Sequence, residues 1–195
     1  MGGWGVFLDR DGTVTEEVGY VNHPSRLALI PGAAEGIRAL NQAGIPVILA
    51  TNQAGVARGY FTEDLVKEVL TRLQELLAAQ GARLDALYYC PHHPSVGPPP
   101  YRRDCDCRKP KPGMLLRGAA EFSLDLSRCV VVGDKISDVE FAHGAGARGV
   151  LVLTGYGLGE YTYQRRDWKD QPDFIAAGLP EAARWILEEA KNSDE

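Results

Sequence analysis

Apolar residues in this chain fall into two kinds of pattern. Short unbroken runs come first: Val6-Phe7-Leu8, Ile45 to Ala50, Ala86 to Tyr89, Val130-Val131-Val132 and Val150 to Leu153. They stop at Asp9, Thr51, Cys90, Gly133-Asp134 and Thr154-Gly155. Continuous runs of this length predict strands buried on both faces. Between them the pattern changes to helical spacing. Pro31 to Ala43 sets Ile37 and Leu40 three apart and ends at Gly44. Thr62 to Gln80 repeats Leu65, Val69, Leu73, Leu76 and Leu77. Thr62 is its candidate N-cap, Glu63 and Asp64 suit the positive end of the helix dipole, and Gly81 stops it. Gly113 to Phe122, Ser137 to Ala145 and Glu181 to Ala190 are further helical segments, the last followed by a charged, frayed tail.

Strand–helix alternation predicts a three-layer α/β fold with a mostly parallel sheet. Such sheets bind ligands outside the carboxyl ends of their strands. The reactive polar residues sit at those ends: Asp9 and Asp11, Thr51 and Asn52, and Asp134. No internal repeat is visible, and the one low-complexity patch is Gly97-Pro98-Pro99-Pro100.

Asp9-Arg10-Asp11-Gly12-Thr13 directs one carboxylate into the cleft and a second past a tight turn. An attack by carboxylate on a phosphate monoester needs charge neutralisation, which a magnesium ion shared with carboxylates supplies. Asp-Gly alone would be only a turn signal; the apolar strand before it and its distant partners argue for chemistry. Thr51, Asn52 and Gln53 offer a hydroxyl and amides to phosphoryl oxygens, although Thr51 by itself reads more readily as a cap or loop polar group. In Arg108-Lys109-Pro110-Lys111-Pro112, Lys109 is a candidate for stabilising developing phosphoryl charge, and Arg108 for gripping a second phosphate with its planar fork. Asp134 is a natural metal ligand. Asp138 either orients that ligand or complements the start of a helix.

Cys90-x-His92 and Cys105-x-Cys107 flank one irregular loop. Three thiolates and one imidazole complete a tetrahedral zinc set, leaving no open position, so the zinc is expected to be structural. His93 competes with His92 for the fourth place. Cys129 precedes a strand and reads as a buried core residue.

Composition narrows the classes. The 195 residues are 45% hydrophobic and 24% charged, with a formal net charge of -5. That suits a single globular domain and lacks the basic face nucleic acid demands. Residues 1–8 carry no basic leader, and no stretch is long enough to span a bilayer. A cytoplasmic monomer is expected, acting on a small phosphorylated molecule, with no nucleic-acid or membrane partner.

Together these motifs resemble the haloacid dehalogenase superfamily, and within it the branch of heptose-bisphosphate and histidinol phosphatases. The resemblance runs from about Val6 to Gly157. It is carried by FLDRDGT at 7–13, TNQAGVARG at 51–59, YYCPHHP at 88–94, CDCRKPKPGML at 105–115 and GDK at 133–135. It implies a Rossmann-like core over 1–195 without a large cap domain, with a zinc loop at about 88–110. It further implies Asp9 as nucleophile, Asp11 as general acid and base, and Thr51 and Lys109 as phosphoryl stabilisers. Magnesium would be held by Asp9, the Asp11 carbonyl and Asp134, with Asp138 behind them. Glu17, Val18, Gly19, Tyr20, Asn52, Gln53, Ala54, Arg108 and Lys135 fall where that branch binds substrate.

The substrate expected is D-glycero-D-manno-heptose 1,7-bisphosphate, cleaved at C7, which would place the chain in nucleotide-activated heptose and lipopolysaccharide biosynthesis. GVARGYFTE at 55–63 and the element at 109–114 favour it, and Arg108 with Lys135 could serve its second phosphate. Histidinol phosphate is the alternative, since Glu16 and Glu17 could face its amine. A phosphotransferase could share the nucleophile, though Asp11 favours hydrolysis. An interaction protein built on the zinc loop, without catalysis, is a reading of another class.

Overall fold

The computed structural model describes residues 3–193. Met1 and Gly2, within the leader considered above, and the last two residues of the charged tail lie outside them.

Six strands form one sheet: β1 (Gly3–Leu8), β2 (Val47–Asn52), β3 (Ala86–Cys90), β4 (Leu124–Gly133), β5 (Arg148–Val152) and β6 (Phe174–Ala176). Their order is β3-β2-β1-β4-β5-β6, and every neighbouring pair is parallel. The sheet is thus wholly rather than mostly parallel. From β1 the chain adds β2 and β3 on one side and then crosses to add β4, β5 and β6 on the other, and this switch point between β1 and β4 opens a crevice at their carboxyl ends.

The unbroken apolar runs are explained by burial on two sides. Val6 and Leu8 of β1, Val47 and Leu49 of β2, and Val130 and Val132 of β4 join one core. Helices α1 (Ala33–Gln42), α2 (Glu63–Ala78) and α6 (Leu179–Ser193) close over it. Phe7, Ile48 and Val131, one residue out of phase, join a second core beneath α3 (Gly113–Phe122) and α4 (Ile136–His143). The alternation is the period of two that a pleated strand imposes. Thr62 caps α2, its Oγ1 accepting from the Leu65 amide at 3.3 Å.

Two features depart from the sequence expectation. β4 begins at Leu124, six residues before its apolar run, because its first half is only partly covered. β6 is three residues long, too short for any periodicity; Phe174 stacks on Trp185 with centroids 5.2 Å apart. After β5, Gly157–Gly159 (α5) and further tight turns through Asp167 lead toward β6.

Candidate active site and metal centres

β1 ends at Leu8, so Asp9 emerges at the switch point, its amide donating to the Val132 carbonyl of β4 at 3.0 Å. A cavity of about 290 Å³ opens here. Asp9, Asp11, Thr51, Lys109 and Asp138 line it, with Glu17, Gly19, Tyr20, Asn52, Gln53, Ala54 and Lys135. Val18 is exposed, and it and Arg108 lie outside that lining.

Lys109 is buried between two carboxylates. Its Nζ lies 2.8 Å from Asp9 Oδ1 and 2.6 Å from Asp138 Oδ1. Burial alone would pull this lysine down, but the charges of Asp138 and Asp9 carry it above its ordinary range. Its backbone is clasped by Asn52, whose Oδ1 accepts from the Lys109 amide and whose Nδ2 donates to the Lys109 carbonyl, both at 3.1 Å. Asp138 does both things its sequence position allowed. It grips Lys109, and its Oδ2 accepts from the Lys135 amide at 3.3 Å at the start of α4.

Asp134 follows β4 and is fully buried. Its Oδ2 accepts from the Tyr156 amide at 2.9 Å, while Oδ1 has no hydrogen-bond partner among the described residues. Burial pushes its carboxyl up to about 7. An orphaned buried carboxylate oxygen is costly unless something positive meets it. Ligand atoms of Asp9, Asp134 and Asp138 lie within 4.8 Å of one another, so three acids converge on one point. This donor set, all hard oxygen, suits a magnesium ion. Gly12 is required beside it: its φ is +80°, and a Cβ there would overlap the Asp134 carboxylate.

The Asp11 carboxylate is not part of that convergence. Arg10, itself buried, turns its guanidinium onto it: Nε and Nη2 reach Oδ1 at 3.0 and 2.8 Å, and Nη2 reaches Oδ2 at 2.8 Å. Gln53 Nε2 donates to Asp11 Oδ2 at 3.2 Å and to Thr51 Oγ1 at 3.0 Å, joining three of the expected residues. On the far wall, Lys135 Nζ stands 3.8 Å from Glu17 Oε2 and 4.5 Å from the centroid of the Tyr156 ring.

Arg10, Gly55, Ser137 and Tyr156 were not singled out from sequence. Tyr156 could have been, because the run ending at Leu153 delivers Thr154-Gly155-Tyr156 to the same edge of the sheet. Nothing in the sequence signals that Arg10 folds back onto its neighbour.

The four ligands expected for zinc come together. Cys90 Sγ lies 3.5 Å from Cys105 Sγ and 3.7 Å from His92 Nδ1; Cys107 Sγ lies 3.3 Å from Cys105 Sγ and 3.4 Å from His92 Nδ1. A tetrahedral site with metal–sulfur bonds near 2.3 Å has edges of about 3.8 Å. Burial pushes the Cys90 and Cys107 thiols up, so a cation is needed for all three sulfurs to ionise together. His93 points away, its Nδ1 accepting from the amides of Ser95 and Val96, both at 3.2 Å. Cys129 is buried in the second core, as expected.

A doubly wound parallel sheet with an aspartate beyond its central strand, a buried lysine and a triad of acids defines a phosphohydrolase of the haloacid dehalogenase type. Residues 106–182 match the HAD-hydrolase-like family. A D-glycero-D-manno-heptose-1,7-bisphosphate 7-phosphatase from Thermosynechococcus vestitus is 48% identical over 187 residues, covering 93% of this chain and 94% of its own. The D-glycero-beta-D-manno-heptose-1,7-bisphosphate 7-phosphatase of Haemophilus influenzae is 44% identical over 77% of this chain and 82% of its own. A crystal structure of a D,D-heptose 1,7-bisphosphate phosphatase from B. bronchiseptica, complexed with magnesium and phosphate, superposes with a TM-score of 0.84 at 33% identity, covering 95% of this chain and 99% of that one. The chain belongs to the family of the heptose-1,7-bisphosphate 7-phosphatases within the haloacid dehalogenase-like hydrolases.

Proposed function

We propose that this protein hydrolyses the C7 phosphate of D-glycero-D-manno-heptose 1,7-bisphosphate. The observation that carries the chemistry is Asp9 at the switch point, with Lys109 Nζ 2.8 Å from its Oδ1 and two further acids beside it. An oxygen of Asp9 attacks phosphorus in line, and the bond to the sugar oxygen breaks as Asp11 gives that oxygen a proton. Asp11 then takes a proton from water, whose oxygen attacks phosphorus, frees inorganic phosphate and restores Asp9. Arg10 and Gln53 fix the orientation of the Asp11 carboxylate that receives the proton from water. Thr51 and Lys109 face the phosphoryl oxygens.

Asp9 and Asp134 would hold magnesium, with Asp138 behind them, and the ion when bound offsets the negative charge shared by carboxylate and phosphate. The Asp11 carbonyl completes that set on the family's pattern. Cys90, His92, Cys105 and Cys107 would hold a structural zinc that orders the loop at about 88–110. The whole chain acts as one domain.

Membership of the heptose-bisphosphate family supports the substrate over histidinol phosphate. So does Glu17, the acid that could have faced an amine: Lys135 and the Gly19 amide, 2.6 Å from its Oε1, already engage it. The test is phosphate release with magnesium, comparing heptose 1,7-bisphosphate with histidinol phosphate at equal concentration. Strong preference for the bisphosphate, abolished in Asp9→Asn, is expected. Preference for histidinol phosphate overturns the substrate, and full activity in Asp9→Asn overturns the mechanism.

A further inference from the structure

Three backbone segments meet on one oxygen of Asp134. Its Oδ2 accepts from the Tyr156 amide at 2.9 Å. Gly12, in the turn after Asp11, and Gly155, just before Tyr156, stand against the same oxygen: at either position an added Cβ would overlap it. Oδ2 is therefore walled in by main chain on two sides and hydrogen-bonded on a third. Oδ1 has no partner among the described residues, in a side chain closed to solvent. The carboxylate is divided, with one oxygen given to the protein and one left for an ion.

Thr154 locks the two glycine segments together. Its Oγ1 donates to the Gly12 carbonyl at 2.6 Å, tying the turn after β5 to the loop after β1 across 142 positions of sequence. Gly155 is seated so near that its Cβ would overlap the Gly12 α-carbon as well. The Gly157 amide donates back to the Thr154 carbonyl at 2.9 Å and closes the turn. The tie also steadies the peptide that carries the Asp11 carbonyl. The Gly12 amide of that peptide donates to the Thr15 carbonyl at 2.7 Å, and the carbonyl that follows is the one Thr154 grips. Two expected metal ligands thus share one brace.

The division matters because cations differ in how they take a carboxylate. Magnesium demands a near-ideal octahedron of oxygens, whereas calcium takes a larger, looser shell and readily accepts both oxygens of one carboxylate. We propose that the turn Thr154-Gly155-Tyr156 is a positioning element for the metal site: it keeps Asp134 a one-oxygen ligand and so favours magnesium over calcium. This rests on the magnesium reading above. Thr154 is a positioning residue, since its hydroxyl acts on the ion only through Gly12 and Asp134.

The test is isothermal titration of magnesium and, separately, of calcium into the zinc-loaded protein, without substrate. Thr154→Val keeps the shape of the side chain and removes the hydroxyl. It should raise Kd for magnesium on the order of tenfold, the lower end for a lost partner of a metal ligand, and Kd for calcium by less, so that the preference for magnesium shrinks. Thr154→Ser, which retains the hydroxyl, should bind both ions as wild type does. Gly155→Ala, which drives a methyl group against Oδ2, should weaken magnesium binding at least as much as Thr154→Val. An unchanged magnesium Kd in Thr154→Val overturns the proposal, and so does a loss shared equally by the two ions, the mark of a general loosening. Hydrogen exchange on the wild-type protein decides if a variant fails to fold: the Tyr156 amide should be protected before any magnesium is added, and free exchange there overturns the proposal. Wild-type protein that binds no magnesium instead overturns the reading on which it rests.

Discussion

Arg10 holds the carboxylate of the residue next to it: its Nη2 lies 2.8 Å from both oxygens of Asp11, and its Nε lies 3.0 Å from one of them. A planar fork fits a carboxylate in this way and a lysine ammonium cannot. Arg10→Lys keeps the charge but releases one axis of rotation of Asp11. In an oriented reaction, misplacement of about 1 Å costs on the order of a hundredfold. We therefore expect kcat to fall by tenfold to about a hundredfold, with KM and far-UV circular dichroism close to wild type. A KM rise without loss of kcat would assign Arg10 to substrate contact instead.

Lys109 neutralises two buried acids, so its removal should be felt as instability even without substrate. Lys109→Met leaves Asp9 and Asp138 facing each other unpaired. Breaking a buried pair in this way costs about 3–5 kcal/mol. Urea denaturation in chelator should show a loss of that order. Adding Asp138→Asn should recover part of it, because one of the stranded charges is gone. Additive losses would show that the lysine and Asp138 do not interact energetically.

The sulfur cluster should behave as a folding element. Stripping zinc with a strong chelator, or replacing Cys107 with Ser, should lower the melting temperature and expose the 88–110 loop to protease. Three cysteine sulfurs and one imidazole converge there, and metal binding to such a set is folding free energy. A melting curve indifferent to chelator would mean the cysteines stand as thiols.

Alkali should loosen the β3 edge. Burial, then a hydrogen bond to Glu121 at 2.7 Å, pushes the Tyr88 phenol up to about 12; burial and Glu63, 2.9 Å away, do the same to Tyr89. Both lie above the ordinary value of 10.0. The folded state therefore holds these protons more tightly than the unfolded one, and their stabilisation is complete below pH 10 and lost as pH rises from there through about 12. Tyr88→Phe with Tyr89→Phe should flatten the alkaline limb of a melting-temperature profile. An unchanged limb would place the sensitivity elsewhere.

The fold could be read because its strands are buried on both sides and so announce themselves as unbroken apolar runs. β6 could not, since three residues carry no period and its order comes from Phe174 against Trp185. At the site, Asp9, Thr51 and Asp134 were legible because each ends such a run, and the strand ends share one edge. Lys109 and the cysteines were legible as motifs, but the distances between them are set by loops. The choice between His92 and His93 turned on which backbone amides reach which imidazole nitrogen, a matter of φ and ψ in the loop rather than of residue type. Arg10 was hidden for a related reason. A residue between two functional aspartates has to point somewhere, and only the packed structure shows that it points back.

The close seating of Gly97 against Ala57 ties the sulfur cluster's loop to the turn after β2. Asp9, Asp134 and Asp138 stand on the sheet and on α4, and Asn52 clasps Lys109 from the end of β2. Lys109 itself follows Cys107 by two residues, and Asn52 pairs with Cys90 across the sheet. A chain starved of zinc would on this arrangement lose the seating of its phosphoryl-facing lysine while its acids stayed in place. Metal supply would then set the rate of the chemistry and not merely the amount of working protein.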